Sequence, residues 1–578
     1  MTYRPIVPLL LALACVMAFA FPSGAAGPGS GATAATLSSA TGIPDAMAGL
    51  IRAQVQGVGA AHAQVLQAEL LQREVIAGDV AHYTISVRTG PGKYDRIRVH
   101  RVVRETRPGV PIRTSANLFY QHGDLKDFVG MLLPGLVEPS MPRDFGLATY
   151  LAHNDVDVWG IDQDWTLVPG TETDLSFMSS WGLGRAMNNL DLGIAVARAV
   201  RFVTGSGADP MLLAGYSSGG FTAAALLDHE TQLPVLLRQV NGYVNVDIPL
   251  KTSDPAVQAA VVADYATHVA NLATGTFGEF QPFQLMGQLA ANAPDDPSPL
   301  FPGFTNYQVP AYITLAPGGT GWPSPIHYWA GNFDNTGFPT GPRLTTKDNW
   351  LQFLEVAITW QPARFFKEYE DFLLAPLNGL ASPFDDHLAS VRVPLLNVAA
   401  TGGVSGTTHN GMAVFGSTDV TEIRPTTGSA PETDIGHVDL FTWTGSQDLV
   451  WHPLLTWING HTGNRRGNAA GALAAGTPED GSAVPAPVAT DAFGIRRIEP
   501  NPASGPIALE FALPGGGVGR LEVLDVAGRV IEAQDLGAAG SRVQQARLGT
   551  TRRLAPGIYL VRLSQAGRSW SRRVAVVN

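Results

Sequence analysis

The strongest constraint on the fold is a repeated alternation of apolar strands and helices in the middle of the chain. It begins near Ala116 with "NLFYQHG" and continues through "FGLATYLAHNDVDVWGID". A helical pattern follows from about Leu183 to Val203, and then "PMLLAGYSSGG". Apolar strands separated by helices are typical of a parallel sheet that is buried on both faces. The sequence therefore predicts an α/β domain.

This alternation stops after "NGYVNVDIPL" and resumes later. Residues from about 251 to 386 are aromatic-rich and irregular, which is the pattern of a cap inserted over the sheet. The strand pattern returns at "VRVPLLNVAA", and "DLVWHPLLTWING" predicts a closing helix. Two alternating strands, "HYTISVRTG" and "YDRIRVHRVVRE", precede the alternation. We place the whole domain at residues 77–461.

The N-terminal residues have the pattern of a secretory signal peptide over residues 1–26. Arg4 precedes a short apolar run, and small residues follow it, with cleavage expected near Ala25 or Ala26. The run is too short for a membrane span. The only cysteine, Cys15, falls within the run, so a lipoprotein signal fits less well, and cleavage leaves no disulfide or thiolate metal site. Residues 27–76 are Ala-rich with a mostly helical pattern and predict an N-terminal helical segment.

The rest of the chain predicts a second domain joined by a linker. At 578 residues the chain is too long for one core. Residues 462–492 are rich in Ala, Gly, Pro and Thr without periodicity, which predicts a flexible linker. Short alternating strands with glycine turns over 493–578 predict a small β-sandwich. The net charge of −11 argues against nucleic acid as a partner.

The stretch "GYSSG" is the candidate nucleophile site. It follows the strand "MLLA" and opens an Ala-rich helix. Between Gly215 and Gly219, the G-x-S-x-G frame puts Ser217 at the apex of a strained turn that exposes its hydroxyl. The backbone N–H of Ser218 would then face the developing oxyanion. With 64 glycines in the chain, one chance match is unremarkable, and an ordinary helix cap is the alternative.

A nucleophilic serine needs a base and an acid. His437 follows the last apolar strand pattern and precedes the final helix, whereas the alternatives lie in the cap, a loop or that helix: His268, His409 and His452. For the acid we favour Asp247, which ends a strand at the expected catalytic edge of the sheet. Asp419 is the alternative, but it begins its predicted strand, and a strand of five or six residues spans about 17–20 Å.

Together these stretches resemble the α/β-hydrolase superfamily from about Tyr83 to His461. "YQHGDL", "YLAHNDVDVWGID" and "GHVDLFTW" are most similar to its acid-lipase-type branch, whose members hydrolyse esters of fatty acids. The resemblance implies that Gly123 and Asp124 form the second oxyanion element, with the Asp124 N–H as donor. It also implies an acyl-enzyme mechanism on a small-molecule ester or lipid, with neither a cofactor nor a metal ion. Seven cap aromatics are candidates to line an apolar pocket: Phe277, Phe280, Phe283, Tyr307, Trp322, Tyr328 and Trp329.

The C-terminal stretches "EPNPASG", "LEVLDVAGRVI" and "LAPGIYLVRL" resemble FlgD-like immunoglobulin-type or type IX secretion C-terminal domains. That resemblance implies a secreted or surface-attached protein that engages secretion or cell-surface machinery. Two other functions stay open at this point. One is an inactive, surface-anchored binding protein, and the other is an acyltransferase or peptidase on the same fold. The oligomeric state is left open.

Overall fold

A computed structural model describes residues 40–62, 64–375, 381–405, 412–462 and most of 494–576. The predicted signal peptide, residues 27–39 of the N-terminal segment and all but the first residue of the predicted linker lie outside these ranges. The chain divides into a large unit and a C-terminal unit, which are described separately.

The large unit is built on a sheet of eleven strands, and two short ribbons are added by the cap. In chain order the strands are β1 (Ala40–Thr41), β2 (Gln67–Ala77), β3 (Val80–Arg88), β4 (Arg96–Arg107), β5 (Val110–Pro111), β6 (Asn117–Gln121), β7 (Asp157–Asp162), β8 (Met211–Tyr216), β9 (Val240–Val246), β10 (Gly278–Phe280), β11 (Gly331–Phe333), β12 (Pro339–Pro342), β13 (Trp360–Pro362), β14 (Leu395–Val398) and β15 (Val420–Ile423).

The sheet is mixed, with an antiparallel start and a parallel body. Its order is β1-β2-β3-β4-β7-β6-β8-β9-β14-β15, with β5 paired to β4. Strands β2, β3, β4 and β7 pair antiparallel in turn, and every pairing from β7 to β15 is parallel. This order with helices between the strands is the α/β-hydrolase fold, which confirms the predicted fold class.

The α-helices connect these strands and build the cap. They are α1 (Asp45–Ala61), α2 (Phe128–Leu132), α3 (Leu147–His153), α4 (Leu183–Val203), α5 (Gly219–Thr231), α6 (Pro255–Ala273), α7 (Phe283–Asn292), α8 (Gln308–Leu315), α9 (Lys347–Glu355), α10 (Ala363–Leu374), α11 (Asp439–Thr442) and α12 (His452–His461).

The strand order creates a crevice between β6 and β8. From β6 the chain passes to β7 on one side, and from β8 it passes to β9 on the other. In open α/β sheets, ligands bind outside the carboxyl ends of the strands at such a reversal of direction. The residues that follow β6 and β8 are therefore placed at the expected binding edge.

Two expectations from the sequence need correction. The N-terminal segment was expected to be helical to residue 76, but its helix ends at Ala61. The following residues form β2, which pairs antiparallel with β3 so that Ala77 lies opposite Val80. Glutamine, glutamate and leucine favour helices, but a tight hairpin with β3 outweighs that propensity. The cap is also more regular than its sequence suggests, because helices α6 to α10 lie within it.

The C-terminal unit consists of two small antiparallel sheets with a shared core, as predicted for a sandwich. Its strands are β16 (Gly494–Glu499), β17 (Ile507–Ala512), β18 (Gly519–Leu524), β19 (Val530–Leu536), β20 (Val543–Leu548), β21 (Gly557–Gln565) and β22 (Arg568–Val576). One sheet has the order β16-β17-β20 and the other β19-β18-β21-β22. Leu509 and Phe511 of the first sheet belong to the same buried cluster as Val523 and Val561 of the second.

A buried ion cluster joins β4, β7 and α4 at the opposite edge of the sheet from the crevice. Asp157, at the start of β7, accepts two hydrogen bonds from Arg101, at 2.8 Å and 2.9 Å. Arg201 of α4 donates to the same carboxylate. All three side chains are buried, so removing the carboxylate charge would leave two guanidinium groups without their counter-ion.

We therefore expect Asp157→Asn to lower the free energy of unfolding of the large unit by about 3–5 kcal/mol. The matched control is Asp155→Asn, because Asp155 is exposed and pairs with Arg104 at the surface, and asparagine tolerates its φ of 63°. That control should cost less than about 1 kcal/mol. Urea unfolding followed by tryptophan fluorescence measures both, and equal losses would contradict the role given to the buried cluster.

Candidate active site

The candidate nucleophile lies in a strained turn between β8 and α5. Ser217 directly follows β8 and has a φ of 55°, in the left-handed region. Its N–H donates to Val246 O, at the end of β9, at 3.0 Å. A Cβ on Gly215 would lie 2.7 Å from Gly219 O, and a Cβ on Gly219 would lie 2.4 Å from His122 O. Both positions therefore need glycine, which is the local requirement of a nucleophile elbow.

A buried carboxylate and imidazole lie at the same edge of the sheet. His437 Nδ1 donates to Asp247 Oδ2 at 2.7 Å, and the side chains of the two residues are 3% and 0% exposed. Asp247 directly follows β9 and has a φ of 51°. Its carboxylate also accepts the backbone N–H groups of Ala400, Val404 and Ser405 at 3.0–3.1 Å. These donors satisfy a charge that would otherwise be costly to bury.

Neighbouring groups hold His437 in place. The ring of Tyr216 stacks on its imidazole with centroids 4.6 Å apart, and the Tyr216 hydroxyl donates to His437 O at 3.2 Å. The His437 N–H donates to His327 O, which belongs to the cap. His437 Nε2 and Ser217 Oγ make no hydrogen bond with each other or with another described residue. In unliganded enzymes this contact is often long and tightens when substrate binds.

The predicted second oxyanion element lies beside the elbow, in a segment that we call the oxyanion loop (residues 122–125). A Cβ on Gly123 would come within 2.6 Å of the Ser217 Cβ, so the loop touches the elbow. Within the described ranges, the backbone N–H groups of Asp124 and Ser218 donate to no protein acceptor. Two unpaired N–H donors beside a serine hydroxyl can bind an oxyanion.

Several hydrogen bonds hold the oxyanion loop. The N–H of Gln163 donates to His122 Nε2 at 3.1 Å, so Nδ1 carries the proton and donates to Gly123 O at 2.7 Å. From the cap, Gln361 Nε2 donates to Asp124 O at 2.7 Å. Ser218 Oγ donates to Asp124 Oδ1 at 2.6 Å. Burial raises the pKa of the Asp124 carboxyl to about 6, although the bond from Ser218 favours its charged form.

The other sequence candidates lie elsewhere. Asp419 precedes β15, and the register of Leu395 with Val420 puts it at the amino edge of the parallel strands. Its exposed carboxylate is 3.5 Å from His461 Nε2 and makes no contact with the candidate site. His268 pairs with Glu279 in the cap, and His452 begins α12. His409 lies outside the described residues.

The cap aromatics divide into site and core residues. Tyr328 lies beside His437, with ring centroids 5.5 Å apart, and Phe283 is 6.1 Å from Tyr328. Trp329 is fully buried and donates to Thr442 Oγ1, so it belongs to the core. The sequence did not point to the Ser218 contact with Asp124 or to Gln361, because no local pattern marks either.

The described residues contain neither a group of side chains suited to a metal ion nor a helix suited to crossing a membrane. No group of three or more His, Cys, Asp or Glu side chains there is arranged to hold a metal ion. No helix in those same ranges has both the length and the apolar character needed to cross a bilayer.

Comparison with solved structures shows likenesses of low identity. A proposed lipase from Sulfolobus solfataricus is 17% identical, with a TM-score of 0.45, over 68% of this chain and 99% of that one. A mutant epoxide hydrolase from Vigna radiata is 15% identical, with a TM-score of 0.34, over 66% and 98%. An esterase from Exiguobacterium antarcticum is 9% identical, with a TM-score of 0.31, over 63% and 96%. At these values the likenesses do not bear on the reaction.

Sequence comparison identifies the C-terminal unit. No curated protein matches the chain. The family model of the secretion system C-terminal sorting domain matches residues 497–577, which confirms the predicted resemblance. A domain of this family indicates export to the cell surface or beyond and a partner in the secretion machinery. The chain therefore combines an α/β-hydrolase fold with a secretion system C-terminal sorting domain.

Proposed function

We propose that the protein is an exported serine hydrolase that cleaves carboxylic esters through an acyl-enzyme. The observation that carries this proposal is the buried contact between Asp247 and His437 at the edge of the sheet where Ser217 occupies its strained turn. A serine, a histidine and a buried carboxylate in this relation are the components of a catalytic triad. We also propose that residues 1–26 are removed as a signal peptide.

In the proposed reaction, His437 Nε2 takes the proton of Ser217 while Oγ attacks the ester carbonyl. The N–H groups of Ser218 and Asp124 stabilise the oxyanion that forms. The imidazolium then protonates the leaving alcohol, and a water molecule activated by His437 releases the acid. Throughout, Asp247 fixes the tautomer with the proton on Nδ1 and stabilises the imidazolium.

The inactive binding protein is the less favoured alternative. The lack of an acid partner for His437 would support it, and no carboxyl group follows β14 before Asp419. Asp247, bonded to His437, answers that objection. No observation on the described residues favours an acyltransferase or a peptidase over an esterase, and these remain possible outcomes of substrate tests.

The first prediction concerns the two serines of the elbow. Ser217→Ala should abolish both ester hydrolysis and labelling by a fluorophosphonate, with a loss of several orders of magnitude in rate. Ser218→Ala is the matched control and should stay within about tenfold of the parent, because its proposed oxyanion donor is a backbone N–H. Comparable loss in both variants, or in neither, would contradict the assignment of the nucleophile.

The second prediction concerns the acid. Asp247→Asn should lower kcat about 10⁴-fold, because the amide favours the wrong tautomer of His437. Asp419→Asn, the matched control, should be nearly silent, since that carboxylate is exposed at the other edge of the sheet. Thermal melting must accompany the kinetics, because Asp247 also anchors three backbone N–H groups. An inactive Asp419 variant beside an active Asp247 variant would reverse the assignment.

The third prediction is that the large unit is sufficient for activity and that the C-terminal unit serves export. The proposed catalytic residues and the hydrogen bonds described for them all lie in the large unit, which extends to Asn468. A chain that ends there should keep its kcat/KM on p-nitrophenyl esters within about twofold, while export is lost. A soluble and folded but inactive product would show that the sorting domain contributes to the site.

A further inference from the structure

The carboxylate of Asp124 occupies an unusual place for a group beside an oxyanion site. Ser218 binds its Oδ1, whereas Oδ2 makes no hydrogen bond with any described residue and is not among the fully buried oxygens. Interactions with His437 on the sheet side and with His268 on the cap side both favour the charged form of Asp124. Asp124 therefore lies between sheet and cap, with one oxygen free to receive a donor.

The cap places further carboxylates near Asp124. Gln361, which donates to Asp124 O, lies opposite Glu279 in the ribbon of β10 and β13, so their side chains share a face. Glu279 accepts from His268 Nδ1 at 2.8 Å, and Glu370 lies 3.6 Å from His268 Nε2. Burial opposes the charge of His268, but the bonds to both glutamates outweigh it and raise its pKa to about 10. This histidine is therefore positively charged.

One of these carboxylates is incompletely satisfied. Glu370 is 3% exposed, and its Oε2 has no hydrogen-bond partner among the described residues. Asp264 lies one helical turn before His268 on the exposed side of α6, and burial raises the pKa of Glu370. Glu279 and Glu370 thus contact the His268 imidazolium, and Asp124 and Asp264 interact with its charge, so carboxyl groups outnumber the single cation here.

Aromatic rings complete the surroundings. Tyr328 lies beside His437, and Tyr369 of α10 stacks on Phe221 of α5 with centroids 5.0 Å apart. Both tyrosines are partly exposed, and after burial the charge of Asp124 is the next largest cause of the raised pKa of each hydroxyl. Carboxylates combined with tyrosine faces are the groups that bind an ammonium ion.

We propose that this space selects substrates that carry an ammonium group within a few bonds of the scissile carbonyl, and that Asp124 is the carboxylate that receives it. The inference rests on the proposed ester hydrolysis and narrows its substrate class. The net charge of −11 over the whole chain acts in the same direction, because a negatively charged protein attracts cationic substrates.

Pairs of substrates that have the same shape but differ in charge separate the effect of the ammonium charge on kcat/KM from the effect of substrate shape. Acetylthiocholine and 3,3-dimethylbutyl thioacetate differ only in a quaternary nitrogen or carbon in the leaving group. The p-nitrophenyl esters of 4-(trimethylammonio)butyrate and 5,5-dimethylhexanoate differ in the same way in the acyl group. We expect kcat/KM for the cationic member of at least one pair to exceed that for the neutral member by about ten- to a hundredfold.

Asp124→Asn removes the charge but keeps the backbone N–H and an acceptor for Ser218. It should lower the cationic-to-neutral ratio by about tenfold. Asp348→Asn is the matched control, because Asp348 is an exposed carboxylate of the cap, in the first turn of α9. This control should leave the ratio within about twofold. Asp264→Asn provides a second site variant if Asp124→Asn fails to fold.

The dependence on pH gives a second readout. Because both substrates of a pair use the same reacting groups of the enzyme, the pH dependence of the shared chemistry cancels in the ratio. With a permanently charged substrate, the preference should rise with pH through about 6, where burial places the pKa of Asp124. His437 on the sheet side and His268, Tyr328 and Tyr369 in the cap interact with Asp124 directly, while Glu279, Glu370 and Asp264 lie around His268. In Asp124→Asn the rise near pH 6 should be lost.

The experiment separates failure of this inference from failure of the proposed function. Labelling of Ser217 by a neutral fluorophosphonate reports the nucleophile without an ammonium group. Labelling with ratios near one in both pairs would overturn the cationic selection and leave the hydrolase proposal intact. Absence of labelling would overturn both. If the cationic-to-neutral ratio of kcat/KM were unchanged in Asp124→Asn, the role of Asp124 would be refuted. The cation would then have to bind at the carboxylates of the cap.

Discussion

The buried carboxylate of Asp247 is the interaction on which the proposed site depends. A charge in this position needs several donors, and it receives them from the loop after β14 and from His437. Three segments that are distant in sequence are thereby joined at one edge of the sheet. The strained backbone of Asp247, with a φ of 51°, is retained because those four donors fix it.

The cap contributes to the same assembly through its backbone as well as its side chains. The carbonyls of His327 and Tyr328 accept the N–H groups of His437 and Val438. On the other side of the crevice, Gln361 binds Asp124 O. The cap is thus hydrogen-bonded both to the segment that carries the proposed base and to the oxyanion loop. A structural change in the cap is therefore expected to alter the positions of the reacting groups as well as the space for substrate.

Features that depend on neighbouring residues in the chain could be predicted from the sequence, whereas features that depend on distant residues could not. The strand, turn and helix around Ser217 are contiguous, and the direction of parallel strands was enough to favour Asp247 over Asp419. Strand β2 could not be predicted from its composition, because pairing with β3 outweighs helical propensity. The contact of Gln361 with the oxyanion loop joins residues 237 positions apart, and no local pattern records it.

Asp124 shows how catalysis and selection compete within one residue. In the proposed mechanism its backbone N–H stabilises an oxyanion, while its own negative side chain opposes that charge. Burial moderates the conflict, since a carboxyl with a pKa near 6 is easily neutralised, whereas the bond from Ser218 favours the charged form. An ammonium group on the substrate removes it altogether, because the carboxylate is then paired while the oxyanion forms. The negative charge of Asp124 would therefore slow the reaction of a neutral ester but not that of a cationic ester. Such selection acts by stabilising one transition state more than the other.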